Sequence, residues 1–141
     1  MNKISFPSPI SLKWWVEDLQ GEDPLLKLSL PRVNDEWYER VLGILDMVQM
    51  PYYQCSTHKM AAIIFYKIVK AHNYIDGNKR SGVIVVYLFY LINGYYVSSS
   101  LDLEGIAKKV ASSRGRNNYD KWIYKIEDLF SNHVYFIDNL G

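Results

Sequence analysis

A chain of 141 residues with 49% hydrophobic and 15% aromatic residues has enough apolar material for one sizeable core, and typical domains of this length fold as one unit. Sixteen Lys and Arg against fifteen Asp and Glu leave a formal charge of +1, which excludes a global field drawing the chain to nucleic acid or anionic lipid, so any anion site is local. The one cysteine, Cys55, has no partner for a disulfide, and the N-terminus has no charged, apolar and cleavable leader; a reducing cytoplasm is the expected location.

In chain order, Ser8 and Pro9 mark a helix start. Ile10, Leu12, Trp14, Trp15 and Leu19 then recur at helical spacing up to Gly21. Residues 25–33 alternate between prolines and are expected to be extended or loop. Asn34 is a candidate N-cap with acids following, and Trp37, Val41, Ile44, Leu45 and Val48 trace a second helix. "QMPYYQCS" interrupts with a proline and β-favouring tyrosines, predicting a short extended flap or hairpin. Ser56 or Thr57 then caps a helix whose apolar residues, from Met60 to Val69, cover more than one face and predict a central position.

After a short loop, a helix from about Asn78 or Lys79 includes the longest apolar run, residues 83–92. At ten residues this run is half of what a bilayer requires, and it stops at Asn93 and Gly94. Ser99 and Asp102 resemble a capping box for a helix through Ala111, "SSRGRNN" is a polar loop, and residues 119–130 close the set. The expectation is an all-α bundle with a short β-hairpin flap. It forms one domain over 1–141, with an N-terminal extension to about 33, a core over about 34–131 and a short C-terminal tail.

The loop between the two buried helices, "AHNYIDGNKRSG", concentrates the chemistry. The amides of Gly77, Asn78 and Lys79 are the expected orphan donors of a helix N-terminus, and Lys79 and Arg80 add two full charges beside them. Cations there oppose the macrodipole by about 0.3–1 kcal/mol each, so a compensating anion is implied. Asp76 suits a hard divalent cation such as magnesium bridging to phosphate oxygens. His72, with an ordinary pKa of ~6.5, is a candidate general base. A histidine at a helix end, a "DGN" turn and a solvated "KR" pair are each common, but ordinary residue frequencies produce this combination on the order of once in a billion windows. "GNKRSG" is not a phosphate loop of the G-x-x-x-x-G-K-(S/T) type, because Val83 and Ile84 occupy its Lys and Ser/Thr positions.

His72, Asn73, Tyr74, Ile75, Asp76, Gly77, Asn78, Lys79 and Arg80 resemble the Fic and death-on-curing signature H-x-F-x-(D/E)-G-N-(G/K)-R, with the Lys79 form and "NGYYV" nearest the death-on-curing branch. The resemblance spans about 34 to 130 and implies a small helical Fic-type fold with a flap. It implies His72 as base toward a target hydroxyl, Asp76 with Mg2+, Gly77, Asn78 and Lys79 as anion hole, and Arg80 on phosphate of the co-substrate ATP. The flap, about residues 49–55, would dock a target segment as an added strand, with Tyr52 and Tyr53 in contact.

Lysine before the arginine implies phosphoryl transfer to a protein hydroxyl, as in toxins acting on elongation factor Tu and held by an antitoxin in trans. Members with glycine there imply adenylyl transfer instead, and their second arginine is replaced here by Val83. Tyr74 departs from the phenylalanine of the pattern. Ser100, Glu104 and Gly105 spell the (S/T)-x-x-x-E-(G/N) pattern by which some Fic proteins obstruct their own site, although capping of a helix explains them as well. A different class of reading is a catalytically silent nucleotide-binding module. His58 and His133 lack ligand partners at metal spacing and read as surface or capping residues, and Cys55 lacks a base. Neither a membrane nor direct nucleic-acid contact is expected, Arg114 and Arg116 reading as part of a solvated loop.

Overall fold

The computed structural model describes residues 4–22, 35–50, 55–71, 75–113 and 118–137, with backbone alone at 19–22, 35 and 75–79. The described part is mostly helical: α1 (Pro9–Glu22), α2 (Asp35–Val48), α3 (Thr57–Val69), α4 (Ile75–Ile92), α5 (Leu103–Ser112) and α6 (Tyr119–His133), with a two-stranded sheet of β1 (Tyr95–Val97) and β2 (Val134–Phe136). No described helix is long and apolar enough to cross a membrane.

The centre is the α3–α4 pair. On α3, Met60, Ala61, Ala62, Ile63, Ile64, Phe65, Ile68 and Val69 are all buried, so the helix is enclosed as its apolar sequence predicts. On α4, Ile84, Val85, Val86, Leu88, Phe89 and Tyr90 are buried. Helices α2 and α6 pack on α3, α1 packs on α4, and α5 packs on both central helices. The two central helices approach closely at Gly82. A Cβ there would stand 2.7 Å from Val69 Cγ2 and 3.5 Å from the Phe65 carbonyl oxygen, so only glycine admits this spacing.

Local signals account for most boundaries. Ser8 and Ser11 cap α1 reciprocally: the Ser11 amide donates to Ser8 Oγ at 3.1 Å and the Ser8 amide to Ser11 Oγ at 2.9 Å, with Pro9 as first helical residue. Of the apolar residues expected on one face of α1, Leu12 is buried and Trp15 half-buried, while Ile10 and Trp14 are exposed. The buried stripe runs instead through Leu12 and Val16, four residues apart. Ser56 caps α3 by accepting from the Lys59 amide. The cap of α5 is Asp102 itself, not Ser99: its carboxylate accepts from the Gly105 amide at 3.0 Å.

Gly94 takes φ +85°, the left-handed conformation expected after α4, and Asn93 ties the N-terminal segment down. Its Nδ2 donates to the carbonyls of Ser5 and Phe89, and its Oδ1 accepts from the Ser5 amide. The chain can then leave α4 as β1, pairing antiparallel with β2 in the register Tyr95 to Phe136, Tyr96 to Tyr135 and Val97 to Val134. These strands, at residues 95–97 and 134–136, are not the expected flap. Gln49 and Met50 form a turn at the end of α2, their amides donating to Asp46 and Met47 carbonyls, and residues 51–54, including Tyr52 and Tyr53, lie outside the described residues. So do the expected Asn34 cap, the stretch 25–33 and residues 114–117.

The packing at Gly82 makes a paired prediction. Gly82→Ala is expected to lose about 1–3 kcal/mol of unfolding free energy from overpacking. Gly43→Ala, on exposed α2 surface with nothing within 4 Å of the added carbon, is expected to gain roughly 0.5–1 kcal/mol. Urea denaturation of the two variants beside wild type reads both signs.

Candidate active site

The signature residues sit where α3 gives way to α4. Helix α3 ends at Val69; the Lys70 amide still donates to the Tyr66 carbonyl and the Ala71 amide to Ile68, and Lys70 Nζ donates to the Ser113 carbonyl at 2.6 Å. The helix end is thereby tied to the chain just after α5. His72 and Tyr74 lie outside the described residues.

Helix α4 opens at Ile75, three residues before the start expected from its apolar run. The run begins only at Val83, so a polar first turn reads as loop from sequence. Asp76 favours that turn by its charge near the positive end of the helix dipole. The amides of Ile75, Asp76 and Gly77 are therefore the ones without acceptors inside the helix, whereas those of Asn78 and Lys79 fall one step further in. Gly77 stays within the set of helix-start donors expected from sequence, and the centre of that set moves towards the N-terminus. The side chains of Asp76, Asn78 and Lys79 lie outside the described residues, while Arg80 is exposed.

Just inside the exposed arginine the helix is held firmly. Ser81 is buried, and its Oγ accepts a hydrogen bond from Trp37 Nε1 of α2 at 2.7 Å. Trp37, Arg40, Val41, Ile44, Ile68, Ala71 and Ser81 line a small cavity beneath the signature turn, with Arg40 paired to Glu36 at 3.0 Å. Sequence reasoning treated Trp37 as apolar spacing only and passed over Ser81. The available signal was an indole, whose N–H requires a partner when buried.

His58, expected at the surface or in a cap, is half-buried at the start of α3. Its Nδ1 lies 2.9 Å from the hydroxyl of fully buried Tyr90, and its ring packs edge-on against Tyr95. Burial pushes its pKa below the usual histidine value, with Glu127 opposing. The Tyr90 hydroxyl is pushed far up by burial, with Tyr95 and Glu127 adding to the shift. This group therefore joins the start of α3 to the end of α4 and to the sheet as a neutral hydrogen-bonded node. Cys55 stands near it with its thiol pushed up by burial, Lys59 lowering and Glu127 raising it further; a protonated thiol is a poor nucleophile. His133 lies elsewhere, its Nδ1 3.1 Å from Ser100 Oγ.

Ser100, Glu104 and Gly105 form the opening of α5. Glu104 lies in its first turn, as the helix dipole favours. It raises the pKa of half-buried Tyr87 after the larger effect of burial, which sets it beside a residue about 10 Å along α4 from Arg80. Gly105 is required by the cap, because a Cβ there would meet the Asp102 carboxylate. The pattern has a local structural cause in the cap of α5. Among the described residues no three His, Cys, Asp or Glu side chains gather as a metal site.

Residues 38–90 match the family model described as Fic/DOC family, an interval that contains the whole of His72 to Arg80, all of α3 and α4 as far as Tyr90. The match supports the Fic/Doc family, whose members are typically ATP-dependent transferases acting on proteins. No curated protein and no solved structure matches the chain significantly.

The His58 node gives a pH prediction. Its folded pKa is below the unfolded value of ~6.5, so the unfolded chain binds more protons between the two values. The stability due to neutral His58 is fully present above pH ~6.5 and is lost as pH falls through the depressed folded value. Thermal midpoints from pH 8 to 5 are expected to fall more steeply for wild type than for His58→Gln, and equal slopes would contradict the assignment.

Proposed function

We propose that the protein transfers the γ-phosphoryl group of ATP to a hydroxyl of a target protein, in the manner of death-on-curing toxins. The observation that carries this reading is the opening of α4. Free amides at Ile75, Asp76 and Gly77 and the exposed cation Arg80 occur together on a helix that follows His72 by three residues, within the interval matching the Fic/DOC family model. Such a helix start binds phosphate oxygens through its amides and its dipole, and Arg80 and Lys79 neutralise the charge left over.

In this mechanism His72 accepts the proton of the target hydroxyl as its oxygen attacks the γ-phosphorus. The bond from that phosphorus to the β,γ-bridging oxygen breaks, and ADP leaves. Asn78 donates to a phosphate oxygen. Asp76, a hard oxygen donor in the first turn, would hold magnesium, which would supply charge neutralisation of the phosphates. The target segment enters beside residues 49–55, where Tyr52 and Tyr53 meet it as an added strand. Elongation factor Tu is the target class, the cytoplasm the compartment and a separate antitoxin the control; Glu104 serves the first turn of α5.

Two positions favour phosphoryl over adenylyl transfer. Lys79 adds bulk and charge where adenylylating members have glycine, and Val83, half-buried against the core, occupies the place of their second arginine. Attack at the α-phosphorus with loss of pyrophosphate is the competing reaction.

Incubation with bacterial lysate and position-labelled ATP is expected to label a protein from γ-labelled but not α-labelled nucleotide; the reverse would establish adenylyl transfer. Loss of a general base is expected to slow transfer by about 10²–10⁴-fold in His72→Ala. If that variant stays as toxic as wild type, the protein acts by binding. Glu104→Ala is expected to leave the rate unchanged, and a large rise would reinstate self-obstruction.

A further inference from the structure

The signature turn carries its charge outside and its anchor inside. Arg80 is exposed, and the next residue, Ser81, is only 2% exposed, the one buried polar side chain besides tyrosine among the described residues. Its hydroxyl accepts from Trp37 Nε1 of α2 at 2.7 Å. Three residues on, the Ile84 carbonyl accepts from Trp15 Nε1 of α1 at 3.1 Å. Residues three apart share a side of a helix. Two N-terminal helices thus bring one indole donor each to the same side of α4, immediately past the turn that would hold phosphate.

Core packing alone does not call for this arrangement. An apolar pair of matching volume could fill the Trp37 and Ser81 positions, and replacing both partners of a buried hydrogen bond in that way is often nearly neutral for stability. Apolar contact is non-directional and tolerates a small roll or slide of one helix on another. A short hydrogen bond with an angular preference does not. Gly77 precedes Ser81 by one helical turn on the same side of α4, so a roll of the helix carries its amide with it. A misplacement of 1 Å at a site of this kind costs on the order of 10²-fold in rate.

We propose that Trp37 and Ser81 are positioning residues that set the rotation of α4 and so aim the amides of its first turn, with Trp15 as a second clamp at Ile84. Neither touches the reacting atoms. The inference rests on reading residues 72–80 as the transfer site, and its test separates the two.

Trp37→Phe, Ser81→Ala and the double variant of the full chain are compared with wild type by amide hydrogen exchange along α4 and by equilibrium binding of Mg-ATP. Each single variant is expected to speed exchange at residues 78–82 relative to 85–92 by about fivefold to tenfold, and to weaken ATP binding by a similar factor. The double variant is expected to lose less than the sum of the two single losses, because both single variants remove the shared hydrogen bond. Trp15→Phe, which leaves Ser81 bonded, is expected to give the same pattern in smaller measure. Exchange along α4 unchanged from wild type in both single variants overturns the proposal, whatever the nucleotide does. Localised faster exchange in variants of a wild type that binds no ATP sustains the clamp and removes the nucleotide reading instead.

Discussion

The fold depends on one close approach. Helix α4 lies against α3 with no room for a side chain at Gly82, and that contact, with Val69 and Phe65 opposite, sets how far the end of α3 stands from the start of α4. The site proposed here needs groups from both ends: an imaginary shift of one helix along the other would separate His72 from the amides of residues 75–77. Glycine at 82 gives the helix less intrinsic stability than alanine would, a cost of roughly 0.5–1 kcal/mol, and the tighter packing offsets it.

Around this pair the other elements act as braces. The indoles of Trp15 and Trp37 hold α4 from one side, Lys70 ties the end of α3 to Ser113, and the His58, Tyr90 and Tyr95 group joins the start of α3 to the end of α4 and to β1. No buried side-chain polar atom among the described residues is left without a hydrogen bond, so these braces are complete as well as numerous. The contrast with the signature turn is chemical. There the helix start leaves amide donors for a partner, and two cations stand where the dipole disfavours them.

Much of this was legible in sequence because the signals were local or periodic. The caps at Ser8 and Ser56, the Gly94 turn and the all-round apolar character of α3 and α4 each specify their own conformation. What escaped detection required knowledge of distant neighbours. Strands β1 and β2 are three residues each and stabilise only across 36 intervening positions, so "YYV" and "VYF" carry β-favouring residues without a period long enough to register. The exposure of Ile10 and Trp14, the burial of His58 and the pairing of Trp37 with Ser81 likewise depend on which helix lies opposite. The early start of α4 was hidden because its first turn is polar for reasons other than being loop. The signature itself was legible as a combination of residue types, and the structure adds the helix geometry on which its chemistry would act.

The central claim is that the α3–α4 junction holds a triphosphate against a basic imidazole. A crystal structure of the chain with magnesium and a non-hydrolysable ATP analogue tests it most directly. The account predicts phosphate oxygens within about 2.7–3.2 Å of the amides of residues 75–77, Arg80 on the same phosphates and the His72 ring beside the terminal phosphorus. A nucleotide bound elsewhere, or a His72 ring turned away from the junction, would contradict it.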